Sequence, residues 1–439
     1  MREILRQKMI EGLSAPPPAH THRSVWLPRV PRKGIAVTGV RRSGKTTFLW
    51  QCLADRLTAG APRESLLLLG IEDDRIIGVQ AADMSWLVEE YYALHPHFRD
   101  TRTVTFFLDE IQLVSGWEVF VRRLMDTEKI DLFLSGSSAK LLSREVATSM
   151  RGRAIETTMY PFSFREALRH TGDEPARPWM RLTKAARSLL DHRLRRYLVE
   201  GGFPEAQNLP TRDRLALLSS YVDVMVLRDV IERNAISNPV ALRWMQRQLL
   251  ASPAAPFSIE KLHSALRSQG IPVGKDSLHA YLAHLEDAFL IVTVSLHTDS
   301  ERKRMIHPRK AYPIDPGFIP LFERMGSPNT GQALETVVLL ELLRRGYQVG
   351  YVMTAEGWEV DFYAYAPGRK PLLLQVTANL HDPATRERET RALISAASLY
   401  PQASVLLISL DGVLPNAALP TPLRWMPATR WLLEDEDQG

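Results

Sequence analysis

Residues 34–49 read GIAVTGVRRSGKTTFL, and this stretch decides the fold of the first part of the chain. The apolar run GIAVT predicts a buried strand, and Gly39 to Thr46 fit the pattern G-x-x-x-x-G-K-[ST]. A helical run follows, which gives the strand, loop and helix order that a phosphate-binding loop needs. In such a loop, consecutive backbone N–H groups and the positive end of the helix can cradle phosphates.

The types of residue in this loop assign roles to particular side chains. Lys45 is expected to reach the β- and γ-phosphates of a nucleotide, and Thr46 is expected to hold Mg²⁺. The alternative is a chance match in a glycine-containing turn. The predicted nucleotide-binding residues are Gly39, Arg41, Arg42, Ser43, Gly44, Lys45, Thr46 and Thr47.

Two further strands supply the polar groups that a nucleotide hydrolase needs. The run TVTFFLDEIQ (103–112) predicts a strand that ends in Asp109, a second ligand for Mg²⁺, and Glu110, a general base that polarises the attacking water. The run DLFLSGSS (131–138) ends in small hydroxyls, of which Ser135 could sense the γ-phosphate. The alternatives are strand-end carboxylates and a serine that only cap the following turns.

An additional strand and a basic turn refine this prediction. The run SLLLLGIEDD (65–74) places a strand between the loop and Asp109, which with Glu110 favours an ATP hydrolase over a small kinase. The run SMRGRAIE (149–156) offers Arg151 and Arg153 as candidate arginine fingers, in their own subunit or a neighbour's. A solvated basic turn is the alternative. A finger that acts on a neighbour would make the protein a homo-oligomer.

Length and composition are those of an ordinary globular protein with about two to four domains. The 439 residues are 45% hydrophobic and 24% charged, and the net charge of +5 permits nucleic-acid binding without arguing for it. The single cysteine, Cys52, excludes an internal disulfide framework and a Cys-rich zinc site. No signal-peptide core or 18-residue apolar run occurs, so the sequence predicts a cytoplasmic protein without a membrane partner.

The middle of the chain carries the pattern of a winged helix-turn-helix. Residues 257–296 predict a helix, a turn at Gly270, a second helix and a strand, and LIVTVSLH with RKRMIHPRKAY would form the wing hairpin. In this fold a helix can enter the major groove of DNA while the wing contacts phosphates. A module that only packs domains is the alternative. The predicted DNA contacts are Lys275, Ser277, His279, Arg302 and Arg304, with Lys303, Arg309 and Lys310 also in the wing.

The end of the chain raises the question of nuclease chemistry. A PD-(D/E)xK nuclease uses a helix Glu, a strand Asp and an acid-x-Lys triplet to hold Mg²⁺ and orient water. Glu335 and Asp361 are in place, but the triplet is Gln375-Val376-Thr377, so both its acid and its lysine are replaced. Lys370 or an arginine of TRERETR could supply the missing cation. The sequence therefore favours a nuclease-like domain without cleavage over an active nuclease.

Taken together, these motifs resemble the bacterial and archaeal AAA-type (AAA-14-like) ATP-binding proteins that carry a C-terminal domain of unknown function numbered 4143. The resemblance implies ATP, whereas the residues themselves show no base-reading motif that would separate ATP from GTP. It extends over nearly the whole chain, through the runs DEIQ, GSSAKLLS, RGR, PFSFREAL, GGFPE, YVDVMVLRDVIER, IDPGF, LETVV, EVDF and QV.

The predicted fold class is α/β, with four regions. An N-terminal segment and linker (1–33) precedes a P-loop ATPase domain of the ASCE/AAA type with a parallel sheet (34–165). A helical and winged-helix region (166–325) and an α/β restriction-endonuclease-like domain (326–439) follow. The first functional hypothesis is an ATPase, with Mg²⁺ as cofactor, whose nucleotide state controls how these regions act on DNA. The alternatives are a nucleotide-dependent switch that recognises a protein partner, and an ATP-controlled nuclease.

Overall fold

The structure is a computed structural model that describes residues 1–136, 152–323, 329–412 and 419–434. The chain forms two compact units. The first contains Met1–Tyr160 and Asp287–Phe289, and the second contains Pro161–Glu286 and Leu290–Gly439. The regions predicted as 166–325 and 326–439 therefore fall within one unit.

Five parallel strands form the sheet of the first unit, which confirms the predicted parallel α/β sheet. Its order is β2-β3-β4-β1-β5, and Ile35 of β1 pairs with Phe133 of β4. Because all strands run the same way, their carboxyl ends share one edge of the sheet. The strands are β1 (Gly34–Gly39), β2 (Leu66–Gly70), β3 (Val104–Asp109), β4 (Ile130–Ser135) and β5 (Ala154–Met159).

Apolar layers cover this sheet on both faces. Successive side chains of a strand point to opposite faces, so Phe106 of β3 packs in one layer with Tyr91 and Phe107 packs in the other with Phe48. Burial on both faces explains why β2 and β3 read as nearly continuous apolar runs. The helices of this unit are Arg2–Ser14, Lys45–Thr58, Ala81–Leu94 and Trp117–Thr127.

The first 33 residues are part of this unit and not a separate linker. Leu5 and Met9 of the first helix are fully buried in its core. Gly12 packs against β2 so closely that a Cβ would lie 2.1 Å from the carbonyl oxygen of Leu68. A glycine at a close approach gives no apolar signal, which is why the sequence pattern set the segment apart.

The second unit begins with a helical region. One stretch of it, Met225–Glu232, is a π-helix that continues the helix before it. The α-helices of this unit are Phe164–Thr171, Lys184–Glu200, Thr211–Val224, Pro239–Ala251, Ile259–Ser268, Lys275–Asp287, Glu301–Ile306, Ile319–Phe322, Thr330–Arg344, Pro383–Leu399 and Ala428–Leu433.

A small antiparallel sheet has one strand before and two strands after the predicted helix-turn-helix. Its strands are β6 (Pro256–Phe257), β7 (Ile291–Val294) and β8 (Arg309–Pro313), in the order β6-β8-β7. The helix Glu301–Ile306 lies in the connection between β7 and β8, where the sequence predicted a plain hairpin. The order of two helices followed by paired strands agrees with a winged helix, which stays a prediction.

The last sheet is mixed and has the order β13-β12-β11-β10-β9. Strands β9, β10 and β11 pair antiparallel, whereas β11, β12 and β13 pair parallel. The restriction-endonuclease-like assignment stays a prediction. The strands are β9 (Gln348–Met353), β10 (Glu359–Tyr365), β11 (Leu372–Thr377), β12 (Ser404–Ser409) and β13 (Arg424–Pro427).

One apolar core joins β8 to this mixed sheet. Tyr312 of β8, Leu334 of the helix Thr330–Arg344 and Phe362 of β10 belong to the same buried cluster. The predicted boundary at 325/326 therefore divides a continuous core. This packing also places the polar side chains of β8 beside those of β10.

A buried carboxyl joins two turns of the second unit. The Asp315 side chain accepts hydrogen bonds from the backbone N–H of Gly202 (2.7 Å) and of Gly317 (2.8 Å). Gly201 has φ +77°, and a Cβ there would lie 1.9 Å from an Asp315 carboxyl oxygen, so the turn needs glycine. Burial raises the pKa of Asp315 from its usual 3.8 to about 7, although both hydrogen bonds oppose the shift.

This pKa predicts a pH-dependent stability. Near pH 5 the folded carboxyl keeps its proton while the unfolded one has lost it, so the contribution of Asp315 to stability falls as the pH rises from about 4 to about 7. Asparagine does not titrate. We therefore expect the advantage in Tm of the wild type over Asp315→Asn to be larger at pH 5 than at pH 8. Thermal melts at both pH values measure it, and an equal difference would contradict the assignment.

Candidate functional site

The phosphate-loop motif forms the connection between β1 and the helix Lys45–Thr58. Gly39 has φ +138° and Gly44 has φ +93°, and a Cβ on Gly39 would lie 2.1 Å from the carbonyl oxygen of Met159. Glycine is therefore required where the loop leaves the strand. Arg42 also has a positive φ of 64°. The backbone conformation explains the glycine spacing that the motif shows.

The side chains of the loop lie buried inside it. The Lys45 ammonium donates to the carbonyl oxygens of Gly39 and Val40, both at 3.1 Å, and the residue is only 6% exposed. The Ser43 hydroxyl is buried and has no partner among the described residues. The loop thus holds a cation and a free hydroxyl where a phosphate would bind. Of the other residues in the predicted set, Arg41 lies in the loop and Thr47 lies in the first turn of the helix.

The predicted magnesium ligands meet at the carboxyl edge of the sheet. The Thr46 hydroxyl donates to Asp109 Oδ2 at 2.7 Å, and the Ser135 hydroxyl donates to Asp109 Oδ1. Burial raises the pKa of Asp109, while the two hydroxyls and Lys45 act in the opposite direction. One carboxylate and one hydroxyl at a helix start are oxygen ligands that Mg²⁺ accepts.

These two side chains would leave most of the coordination to other oxygens. In the described parts of the chain, no group of three or more His, Cys, Asp or Glu side chains is arranged for a metal ion. Mg²⁺ prefers six oxygens and keeps several waters. Thr46 and Asp109 therefore fit a magnesium ion that is also held by nucleotide phosphates and water.

Glu110 is held in an uncommon backbone conformation beside Asp109. Its φ of 57° lies in the left-handed region, which costs a non-glycine residue energy. Its backbone N–H donates to the Ser135 hydroxyl at 3.2 Å, and its carboxylate accepts from the Gln112 amide. Ser135 therefore fixes both acids of the Asp109–Glu110 pair.

Arg23, which was not predicted as a site residue from the sequence, makes a hydrogen bond to the backbone of the loop. Arg23 is 5% exposed, and its guanidinium donates to the carbonyl oxygens of Ser43 and Tyr160, both at 2.7 Å. The side chain of Gln51 exchanges two hydrogen bonds with the backbone of Arg23. The surrounding sequence HTHRS shows no pattern that predicts these contacts.

Of the two candidate arginine fingers, the structure describes only Arg153. Arg151 lies outside the described residues. Arg153 precedes β5, its carbonyl accepts from Gly34 at the start of β1, and its guanidinium bonds to Asp126 at 2.7 Å. Arg153 therefore lies at the edge of the sheet opposite to the loop of its own subunit. Its role as an arginine finger stays a prediction.

A second polar cluster lies in the second unit and contains two of the three predicted nuclease-like residues, Glu335 and Asp361. Its centre is Lys310 of β8, whose ammonium donates to Glu335 (3.1 Å), Asp361 (3.3 Å) and Glu359 (2.7 Å). Tyr312 adds a hydrogen bond of 2.7 Å to Glu335. We call Lys310, Glu335, Glu359 and Asp361 the lysine cage.

Gln375 lies beside the lysine cage and connects the backbone of one residue to the side chain of another. Its carbonyl oxygen accepts from the backbone N–H of Asp361 at 3.1 Å, and its amide donates to Glu389 at 2.6 Å. Glu389, of the helix Pro383–Leu399, also pairs with Arg388 at 3.1 Å. Gln375 therefore links the backbone of Asp361 to the side chain of Glu389. Glu389 is a buried acid that was not predicted as a site residue from the sequence.

The charges of the lysine cage shift the pKa values of its members. Burial raises the pKa of Asp361, and the nearby charge of Glu335 raises it further against the effect of Lys310. Burial also raises the pKa of Glu335. Burial alone would lower the pKa of Lys310, but Asp361, Glu335 and Glu359 outweigh it and raise that pKa. These three acids therefore favour the charged form of Lys310.

The predicted DNA-contact residues have different surroundings. Lys310 is 2% exposed, so the expectation that it contacts DNA from a wing is wrong. Lys275 is paired with Glu260 at 2.5 Å, and Arg304 is paired with Glu301. The other three candidates, Ser277, His279 and Arg302, have exposed side chains.

Similarity to known proteins covers most of the chain. The uncharacterized protein MJ1544 of Methanocaldococcus jannaschii is 31% identical over 375 residues, 84% of this chain and 80% of that protein. An uncharacterized protein of Haemophilus influenzae is 29% identical over 330 residues, 75% of this chain and 78% of that protein.

Two solved structures are similar at lower identity. The Walker-type ATPase paby2304 of Pyrococcus abyssi has 15% identity and a TM-score of 0.42, covering 73% of this chain and 95% of that one. The ORC1 protein of Aeropyrum pernix, solved in complex with DNA, has 13% identity and a TM-score of 0.27, covering 71% of this chain and 87% of that one.

Two family models match separate parts of the chain. An AAA domain matches residues 31–168, and a domain of unknown function (DUF8612) matches residues 191–328. The latter covers the middle of the chain and differs from the domain 4143 that the resemblance implied. None of the helices in the described residues has the length and apolarity to cross a bilayer. The chain belongs to the family of MJ1544 and carries an AAA domain in its first unit.

Proposed function

We propose that this protein is a magnesium-dependent ATPase whose active site is the carboxyl edge of the first sheet. The observation that carries the proposal is the contact of Thr46, Asp109 and Ser135 directly beside the buried Lys45. A helix start, a strand-end carboxylate and a neighbouring strand-end hydroxyl converge there. This is the arrangement that phosphate-loop hydrolases use.

Each side chain has a definite role in this reaction. Lys45 would exchange its two backbone carbonyl partners for phosphate oxygens, which are stronger acceptors because they are charged. Thr46 and Asp109 would hold Mg²⁺, which supplies charge neutralisation of the phosphates when bound. Ser135 would keep the Asp109 carboxylate oriented towards that ion.

Glu110 is the residue that we propose as general base. It follows Asp109 directly at the carboxyl end of β3, and in this role it would not need to bind the metal. The hydrogen bond from Gln112 orients its carboxylate. A carboxylate in this position can accept the proton of the attacking water.

We also propose that the second unit connects this ATPase to DNA, through the winged helix and the nuclease-like domain that the sequence predicts. The support is a row of exposed basic residues on the helix Glu301–Ile306: Arg302, Lys303 and Arg304. Basic side chains on a short surface helix fit phosphate contacts, which carry no sequence preference. A switch that recognises a protein partner is the competing role.

Hydrolysis with and without DNA separates these two roles. We expect duplex DNA to raise the steady-state rate, and charge reversal of Arg302 and Lys303 to glutamate to remove the increase. The exposed Lys184→Glu is the matched control, and it should keep the stimulation. A rate indifferent to DNA, with DNA binding that does not depend on salt, would favour the protein-partner switch.

A further inference from the structure

The lysine cage has the carboxylates of a divalent-metal site, but a lysine ammonium lies at its centre. Carboxylates from the helix Thr330–Arg344 and from β10 converge on one point, as in nucleases that hold Mg²⁺ between such acids. At that point lies the ammonium of Lys310. Three carboxylate oxygens lie between 2.7 and 3.3 Å from its nitrogen.

The number of donors matches the number of acceptors. An ammonium group has three N–H donors and no acceptor, and the cage offers Lys310 three carboxylates. Every N–H of Lys310 can therefore be used inside the cage. The residue is 2% exposed, so water has little access to replace these partners.

With Lys310 in place, the cage oxygens lie at the distances of an ammonium and not of a magnesium ion. Mg²⁺ needs ligands at about 2.0–2.1 Å in an octahedron, whereas the cage oxygens are placed at hydrogen-bond distances from nitrogen. The remaining oxygen of Asp361 is also used, because it accepts from the backbone N–H of Val376 at 2.9 Å. Tyr312 donates to the same Glu335 oxygen that Lys310 contacts.

The neighbouring residues complete this picture without a metal. Gln375 replaces the usual strand acid and turns its oxygen to the backbone of Asp361, so it does not add a charge to the cage. Glu389 is balanced by Arg388. Glu359, at 31%, is the most exposed of the cage side chains, which leaves a route from solvent if the centre were vacated.

We propose that the Lys310 ammonium is a built-in replacement for the divalent cation of this nuclease-like site. The wild-type cage then binds no Mg²⁺ or Mn²⁺ and supports no metal-dependent cleavage. Removal of the positive charge leaves three converging carboxyl groups without a counterion, and a divalent metal that displaces their protons can then occupy the cage. The inference is independent of the ATPase activity of the first unit.

Manganese binding to the full chain without nucleotide, measured by electron paramagnetic resonance, tests the proposal. We expect Lys310→Met to bind one more Mn²⁺ per chain than the wild type, and Lys310→Met/Asp361→Asn to lose it. Lys310→Arg keeps a cation and should not gain the ion. Lys370→Met, at an exposed lysine of the same unit, is the matched control and should equal the wild type.

If Lys310→Met does not fold, a comparison of the wild type with Asp361→Asn decides the question. Wild type and Asp361→Asn should then bind the same amount of Mn²⁺, and neither should cut plasmid DNA in its presence. Loss of a bound Mn²⁺ in Asp361→Asn would overturn the proposal. Cleavage by the wild type that Asp361→Asn removes would overturn it as well, since Lys310 would then be a catalytic lysine.

Discussion

Replacement of Lys45 by alanine is expected to weaken ATP binding by roughly 100-fold or more. The Lys45 ammonium lies inside the loop, 3.1 Å from two carbonyl oxygens that it would exchange for phosphate oxygens. Hydrogen bonds to charged groups contribute about 1.5–3 kcal/mol each, and the removed cation also faces a nucleotide with several negative charges. Equilibrium titration with a fluorescent ATP analogue measures the loss.

A matched lysine shows whether this loss is specific. Lys129 is exposed and lies next to the start of β4, at the edge of the sheet opposite to the loop. Lys129→Ala should therefore bind ATP as the wild type does. Equal affinity in Lys45→Ala and Lys129→Ala would remove the loop as the nucleotide site, provided that both variants melt at the wild-type temperature.

The Glu110→Gln variant is expected to bind ATP and to hydrolyse it about 10²–10⁴-fold more slowly, which is the usual contribution of a general base. Glutamine keeps the size of the side chain and an oxygen that can accept from Gln112, but it cannot take a proton. Because Thr46 and Asp109 are untouched, the nucleotide and its metal should remain bound. Rapid filtration after incubation with labelled ATP should therefore recover a trapped complex.

The control for this variant is a distant acid. Glu3→Gln, at an exposed position in the first helix, should hydrolyse ATP at the wild-type rate. Normal turnover in Glu110→Gln would show that another group activates the water. Weak binding of ATP by Glu110→Gln would instead show that Glu110 helps to bind the nucleotide or the metal.

The sequence predicts the first sheet well because its signals are local. The loop motif, the apolar runs and the strand-end acids all lie within a few residues of the structure that they specify. Buried parallel strands must be apolar on both faces, so GIAVT and TVTFFLD are recognisable without any partner. The meeting of Thr46, Asp109 and Ser135 then follows from the parallel order of the strands.

Two residues that matter to the sites were not predicted from the sequence, because their partners are distant in the chain. Arg23 contacts the loop 20 residues later, and only the folded first unit brings the two together. Lys310 lies in the basic run RKRMIHPRK, which looks like a solvated surface. On β8, however, alternate residues face opposite sides, and the inward position holds Lys310 while Arg309 stays partly exposed.

The domain boundaries were harder to predict for a related reason. A boundary at 325/326 follows from the change from turn-rich to periodic sequence, but the core that joins Tyr312 to Leu334 and Phe362 depends on contacts between strands far apart in the chain. Similarly, the first helix has only two fully buried apolar side chains, Leu5 and Met9. Contacts of this kind leave little periodic pattern in the local sequence.

Phosphate release from ATP by the purified wild-type chain, with Mg²⁺ and with EDTA, tests the central claim most directly. Lys45→Ala supplies the background rate of any contaminating ATPase. We expect release with Mg²⁺ that is well above this background and that falls to it when EDTA removes the metal. A rate with Mg²⁺ no higher than that of Lys45→Ala would contradict the assignment of the first unit as a magnesium-dependent ATPase.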